Sequence, residues 1–169
     1  KIKLNKKDRI LCAKFRKGHF EGVLDVMNRL TKIVNPNKIF MGEKDFQQIH
    51  LVKKFLKQRF KAKIISCKTI RDKNKVALSS RNILLSSSNY ITAGKIYKKL
   101  VNIKKRINNI KNIPNFLNFQ KKQLEKNFNI QIDYLEIRDK KNLRISKKST
   151  NSKLFIAYYL NHVRLIDNL

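Results

Sequence analysis

The sequence predicts an α/β chain in two parts: a parallel-sheet unit with crossover helices, then a small α+β domain with an antiparallel sheet. Two observations carry this. Up to about Cys67, helical and strand-like apolar patterns alternate, the rhythm of a parallel sheet joined by helices. After Thr69, two helical patterns come first and three strand-like segments follow on short links, which favours an antiparallel sheet. One domain is therefore placed at residues 1–69 and a second at residues 70–169.

Each element has its own signal. Lys1 to Cys12 alternates only weakly and reads as an edge segment or loop. Gly18 opens a helix whose apolar face is Val23, Val26, Met27, Leu30, Ile33 and Val34, at a spacing of three to four. Asn35-Pro36-Asn37 ends it, because proline lacks an amide proton and restrains the residue before it. Ile39-Phe40-Met41 reads as a buried strand ending at Gly42. Asp45 is placed to cap the next helix, with Ile49, Val52, Phe55, Leu56 and Phe60 facing inward. Lys63 to Cys67 is the second strand. In the second part, Ser86-Ser87-Ser88 marks a helix start, and Ile96, Tyr97, Leu100, Ile103 and Ile107 lie on one face. Pro114 begins a shorter helix through Phe116, Leu124 and Phe128. Three strands are expected at 130–137, 153–160 and 162–166, with turn residues at 147–152.

Composition narrows the function classes. The 169 residues suit one domain or somewhat more, at ~100–200 residues per domain. With 41% apolar residues, the chain is not an extended disordered tail. No apolar run approaches the ~20 residues of a membrane span, and the start has no signal-peptide pattern, so a soluble protein without a membrane partner is expected. Cys12 and Cys67 are too few for a disulfide framework or zinc site and point to a reducing, cytoplasmic setting. His19, His50 and His162 lie far apart, so no metal site is expected from side chains alone.

Charge is the loudest feature. Forty-one Lys and Arg against 11 Asp and Glu give +30, and the obvious reading is phosphate neutralisation on a nucleic acid. The lysines, however, are spread along the chain, and no aromatic ladder for base stacking accompanies them. Lys, Asn and Ile are all abundant while Gly, Pro and Trp are scarce, the signature of drift towards A/T-rich codons. Drift is the better account. A basic, non-catalytic nucleic-acid-binding remnant is the alternative.

Two segments are dense in hydrogen-bonding groups. Gly42-Glu43-Lys44-Asp45-Phe46-Gln47-Gln48 follows a strand and enters a helix, the place where open α/β sheets bind ligands. Gly42 allows close backbone approach, and the helix start offers free amides and partial positive charge to an anion. Lys44 adds a full charge, and Gln48 stands one helical turn beyond. In Val76-Ala77-Leu78-Ser79-Ser80-Arg81-Asn82, Ser79 and Ser80 supply hydroxyls and Arg81 a bidentate cation, a combination suited to phosphate.

Taken together, these residues resemble the pantothenate synthetase family, also called pantoate–β-alanine ligases. Gly42 to Gln48 matches its Gly-x-Lys-Asp-x-Gln-Gln signature and Ala77 to Asn82 its Ala-x-Ser-Ser-Arg-Asn signature. Arg16 to Val23 resembles its Arg-Pro-Gly-His-Phe segment, Asp133 to Ile137 its Asp-Tyr-x-Glu segment, and Arg164 to Asn168 its closing strand. The resemblance implies the C-terminal part of a Rossmann-like nucleotidyltransferase domain followed by the α+β domain. It implies an ATP-dependent ligase: pantoate attacks the α-phosphate of ATP, pyrophosphate leaves, and the amine of β-alanine displaces AMP from the pantoyl adenylate. It also implies a cytoplasmic homodimer, with Mg²⁺ held through the ATP phosphates.

Carried over by position, Lys44 and Arg81 are the catalytic cations. Gly42, Glu43, Lys44, Asp45, Ile70, Leu78, Ser79, Ser80 and Arg81 bind ATP, with Ile70 and Leu78 beside its adenosine, and Gln48 holds pantoate. His19 as a catalytic group is the weaker reading, since a lone histidine in a Gly-His-Phe turn is usually structural. The family's opening Met-Gly-x-Leu-His-x-Gly-His segment has no counterpart, so an N-terminally incomplete form with little turnover alone is expected. Asn74-Lys75 replaces the family's Asp-Gly, which puts the path of that loop in question.

Overall fold

In the computed structural model, which describes residues 2–169, the chain forms two units, Lys1–Lys68 and Thr69–Leu169. In the first, α1 (Cys12–Phe15) and α2 (His19–Val34) precede β1 (Lys38–Gly42), α3 (Phe46–Leu56) and β2 (Lys63–Cys67). β1 and β2 pair in parallel, with Ile39 opposite Ile64 and Gly42 opposite Cys67, so both strands end on the same side. α3 is the crossover between them, a βαβ unit. Its buried residues, Ile49, Val52 and Leu56, recur at the helical period and pack with Phe20 and Leu24 from α2 into the unit's core.

Three expectations for this unit are corrected. β1 is not a buried strand: its residues alternate between exposed and half-buried, with Phe40 66% exposed. The N-terminal segment is mostly loop, as expected, but it is anchored: Leu4, Leu11 and Cys12 are buried, and a 3-10 turn at Lys6–Asp8 and α1 order it. Cross-links hold it, with Lys54 donating to Asp8 at 2.7 Å and Arg9 to Glu21 at 3.0 Å. α2 spans the expected residues, but it buries Phe20, Leu24 and Thr31, whereas Val26, Leu30, Ile33 and Val34 are exposed. The helix carries two apolar stripes, and this unit covers only one. On α3, Phe55 is only half-buried and Phe60 lies beyond the helix end.

The second unit contains α4 (Ser87–Arg106), α5 (Ile113–Phe128), β3 (Gln131–Asp139), β4 (Ser152–Leu160) and β5 (Val163–Asn168). The antiparallel sheet has order β3-β4-β5. β4, flanked on both sides, is the most buried, and its Leu154, Ile156 and Leu160 meet Ile96, Leu100 and Ile103 of α4 and Leu117 and Leu124 of α5. Ser86 caps α4 by accepting from the Asn89 amide at 3.2 Å, and Asn112 caps α5 with Pro114 just inside. A bulge falls between Ile132 and Tyr134, and Asp133 accepts a 2.8 Å hydrogen bond from Arg164 Nε. None of the described helices is long and apolar enough to cross a membrane.

Lys104 ties α4 to the sheet, its Nζ donating to the carbonyls of Ser152 and Leu169 at 2.9 and 3.2 Å. Burial, with Lys140 and Lys153 nearby, pushes its pKa down to about 8. Above pH 8 the unfolded chain then holds this proton more tightly than the folded one, so this group's contribution to stability rises with pH. Between pH 8 and 10 this group is expected to raise the Tm of the wild type, and Lys104→Met is expected to remove that contribution. The ceiling of 10 avoids Tyr90 and Tyr158, whose pKa values are raised and act in the opposite sense.

Candidate nucleotide site

The first candidate segment lies at the carboxyl ends of the parallel strands, where β1 closes at Gly42 and a 3-10 turn, Glu43–Asp45, feeds into α3. The free amides of the first turn of α3 and its partial positive charge sit there. Gly42 has ordinary extended backbone, and a Cβ built on it meets nothing within 4 Å. The protein itself does not require a glycine there, which leaves the space for an approaching ligand. Asp45 occupies the N-cap position of α3 but makes no side-chain cap, contrary to expectation. Its carboxylate lies 3.9 Å from Lys44 Nζ instead. Lys44 is a sheltered cation, its side chain 15% exposed, and Glu43 accepts from Ser66 Oγ at 3.1 Å.

The two glutamines do different work. Gln47 is buried and donates to the Ile10 carbonyl at 2.7 Å, tying the N-terminal segment to α3, while its own oxygen finds no hydrogen bond among the described residues. Gln48 is part-exposed. His19 begins α2 and shares a 2.7 Å hydrogen bond with Arg16 Nη1, a local structural contact.

The second segment belongs to the other unit and is built on a short hairpin. Arg71 and Ala77 form an antiparallel bridge, and the Leu78 amide donates to the Ile70 carbonyl at 3.0 Å. Ile70 and Leu78 are thereby held together at the surface, 70% and 52% exposed. Ser79 then starts a 3-10 turn, Ser80–Leu84, its Oγ accepting from the Arg81 amide at 3.3 Å. That bond uses a lone pair and leaves the hydroxyl proton to donate elsewhere. Ser80 is exposed, and Arg81 is part-exposed with no ion-pair partner among the described residues. Asn82 braces the turn from within, donating to the Ala77 carbonyl at 3.1 Å.

The first unit thus presents a lysine and the free amides of a helix start around a short turn, and the second presents two serine hydroxyls and an arginine. The sequence profile of pantoate-beta-alanine ligases matches residues 1–169. The chain belongs to the pantoate-beta-alanine ligase family. Pantothenate synthetase of Flavobacterium psychrophilum is 36% identical over 161 residues, covering 93% of this chain and 57% of that protein. That of Sulfurihydrogenibium is 33% identical over 163 residues, with coverages of 94% and 58%. The crystal structure of the Thermus thermophilus enzyme superposes with a TM-score of 0.90 at 27% identity over 99% of this chain and 62% of that one. The Francisella tularensis pantoate-beta-alanine ligase, crystallised with beta-gamma ATP and beta-alanine, gives 0.75 at 33% identity over 100% of this chain and 56% of that one. The chain thus spans somewhat more than half the length of these ligases. They confirm the α/β class with separate parallel and antiparallel sheets, and they lend no support to a nucleic-acid-binding remnant.

Some residues that shape the ligase loop escaped the sequence reading. Arg71 makes a bidentate ion pair with Asp167, at 2.7 and 2.8 Å, and stacks at 4.0 Å on the ring of Tyr97. Asp72 receives the Tyr90 hydroxyl on one oxygen and the Val76 amide at 2.9 Å on the other. Asp167 falls in one of the blocks that carried the resemblance, but its partner lies 96 residues away, and no local pattern joins them.

The replaced Asp-Gly is explained by the same loop. Lys75 adopts φ +68°, the left-handed conformation that glycine takes freely, so the lysine carries backbone strain where the family's glycine would carry none. The loop also leans on α4, where a Cβ on Gly94 would stand 2.6 Å from the Asn74 carbonyl oxygen. Lys75→Gly is expected to raise stability by about 0.5–1 kcal/mol, the relief of left-handed strain less the added entropy of the unfolded glycine. Urea unfolding checks the sign.

Proposed function

We propose that this chain is the ATP- and pantoate-binding part of a pantothenate synthetase, which condenses (R)-pantoate with β-alanine through a pantoyl adenylate, releasing pyrophosphate and AMP. The observation that carries this reading is the family match over residues 1–169, with both candidate segments inside it. The pantoate carboxylate attacks the α-phosphate, and negative charge grows on that phosphate and on the departing pyrophosphate. Preorganised cations and donors stabilise such charge.

Lys44 and Arg81 supply the cations, and Ser79 and Ser80 donate neutral hydrogen bonds. Gly42, Glu43 and Asp45 line the nucleotide, whose adenosine rests on Ile70 and Leu78. The exposure of those two side chains supports that role. Gln48 aligns the pantoate carboxylate, a positioning contribution. Once the adenylate has formed, the β-alanine amine attacks its carbonyl carbon and AMP leaves. Mg²⁺ would arrive with ATP and offset part of the phosphate charge. Among the described residues no group of three or more His, Cys, Asp or Glu gathers to cage a metal, so no step is assigned to one. Homodimeric assembly and a cytoplasmic setting belong to the same proposal and rest on the resemblance.

The test is binding. ATP and pantoate are titrated separately into the 169-residue chain, wild type and Gln48→Ala. The variant is expected to lose pantoate affinity by about tenfold, the worth of one well-placed hydrogen bond, and to keep ATP. Failure of the wild type to bind either ligand contradicts the reading.

A further inference from the structure

We propose that Arg71 and Asp167 are positioning residues that hold the hairpin from Ile70 to Leu78, and with it the Ser79–Arg81 turn, in its nucleotide-binding shape before the nucleotide arrives. The inference rests on the proposed function and adds a role for two residues that do not touch the substrate. The pair joins the base of the hairpin to the last strand through two parallel hydrogen bonds. It is largely buried, the side chains 15% and 10% exposed, so solvent screens it little.

The guanidinium does three things at once. It forks onto Asp167, lies over Tyr97, and donates from Nη1 to the Lys75 carbonyl at 3.2 Å across the hairpin. Asp167 is itself fixed, its Oδ1 accepting from the Asn168 amide at 2.7 Å. On the opposite side, Asp72 and Tyr90 fasten the turn to α4. Val76 and Ala77 anchor one arm of the hairpin in the core, whereas its tip is exposed and carries a left-handed lysine, so the Arg71 fork is what fixes the other arm to the last strand. A loop ordered in advance loses less entropy on binding, which appears as affinity.

Lysine keeps the charge at residue 71 but lacks the planar fork and the stack, so Arg71→Lys separates geometry from charge. The readouts are amide hydrogen exchange across residues 70–82 without nucleotide, ATP affinity, and Tm. The expected result is faster exchange at Val76, Leu78 and Asn82, with ATP bound about tenfold more weakly, the scale of a small misplacement of binding groups. Ile137→Val, a conservative trim in the core of the same unit, serves as the control for stability alone. It is expected to lower Tm while leaving ATP affinity within about twofold. Asp167→Asn, which preserves shape, supplies the same readouts if Arg71→Lys does not fold. Unchanged exchange across 70–82 with ATP still bound by the wild type overturns the positioning role alone. An ATP loss no greater than in Ile137→Val at equal Tm overturns it as well. A wild type that binds no ATP overturns the proposed function, and the nucleotide role of the pair falls with it.

Discussion

Lys44→Ala and Arg81→Ala are each expected to weaken ATP binding by roughly 10- to 150-fold, the value of a charge-assisted hydrogen bond worth about 1.5–3 kcal/mol. Lys44 should lie at the upper end. Its side chain is sheltered at the start of α3, where water screens it less and the free amides of the first turn reinforce it. Arg81→Lys should fall between wild type and alanine, because charge survives and the fork does not. The essential comparison is Lys122→Ala, which removes one exposed charge of the same sign on α5. At physiological salt, charges beyond about 8 Å are largely screened, so this variant should bind ATP within about twofold of wild type. Equal losses in all of these variants would show that the net charge of +30, and not a built site, attracts the nucleotide.

Ile96→Ala is expected to cost about 2–5 kcal/mol, a large part of a typical domain's stability of about 5–15 kcal/mol. Ile96 is fully buried on α4 against the antiparallel sheet, and β4 with its ladder partners has little freedom to collapse into the gap. Ile33→Ala, on the outward stripe of α2, should change stability by no more than about 0.5 kcal/mol despite deleting the same atoms. Urea titration of both variants decides whether burial or residue type governs the cost.

That contrast also shows where the sequence was legible. Ile49, Val52 and Leu56 on α3, the cap at Ser86, the proline start of α5 and the three closing strands all depend on local spacing, and each formed near its expected place. α2 was half legible. Its length followed from Gly18 and Pro36, but Phe20, Leu24 and Thr31 recur at nearly the same period as Val26, Leu30 and Ile33. Periodicity shows that a helix has apolar stripes, and only its neighbours decide which one is buried. The N-terminal loop hid its anchors for a similar reason, since Leu4 and Leu11 are buried by tertiary contacts and not by their own pattern.

In the candidate site, the residue types that suit phosphate could be read directly, whereas the scaffolding could not. Asp45 looked like a cap, yet with φ −97° and ψ 49° after a 3-10 turn its carboxylate makes none. Gln48 stood out by its spacing from Lys44, whereas nothing local announced that Gln47 is buried and tied to Ile10. Arg71 and Asp167 had no signal to offer until the chain brought them together.

Amide hydrogen exchange of the full chain, with and without saturating ATP, tests the central claim most directly, because it locates bound nucleotide without requiring turnover. The account predicts slowed exchange in residues 42–48 and 77–82, and little change at the exposed basic pair Lys105 and Arg106 that ends α4. Protection spread over the lysine-rich surfaces with none in those two segments would contradict it.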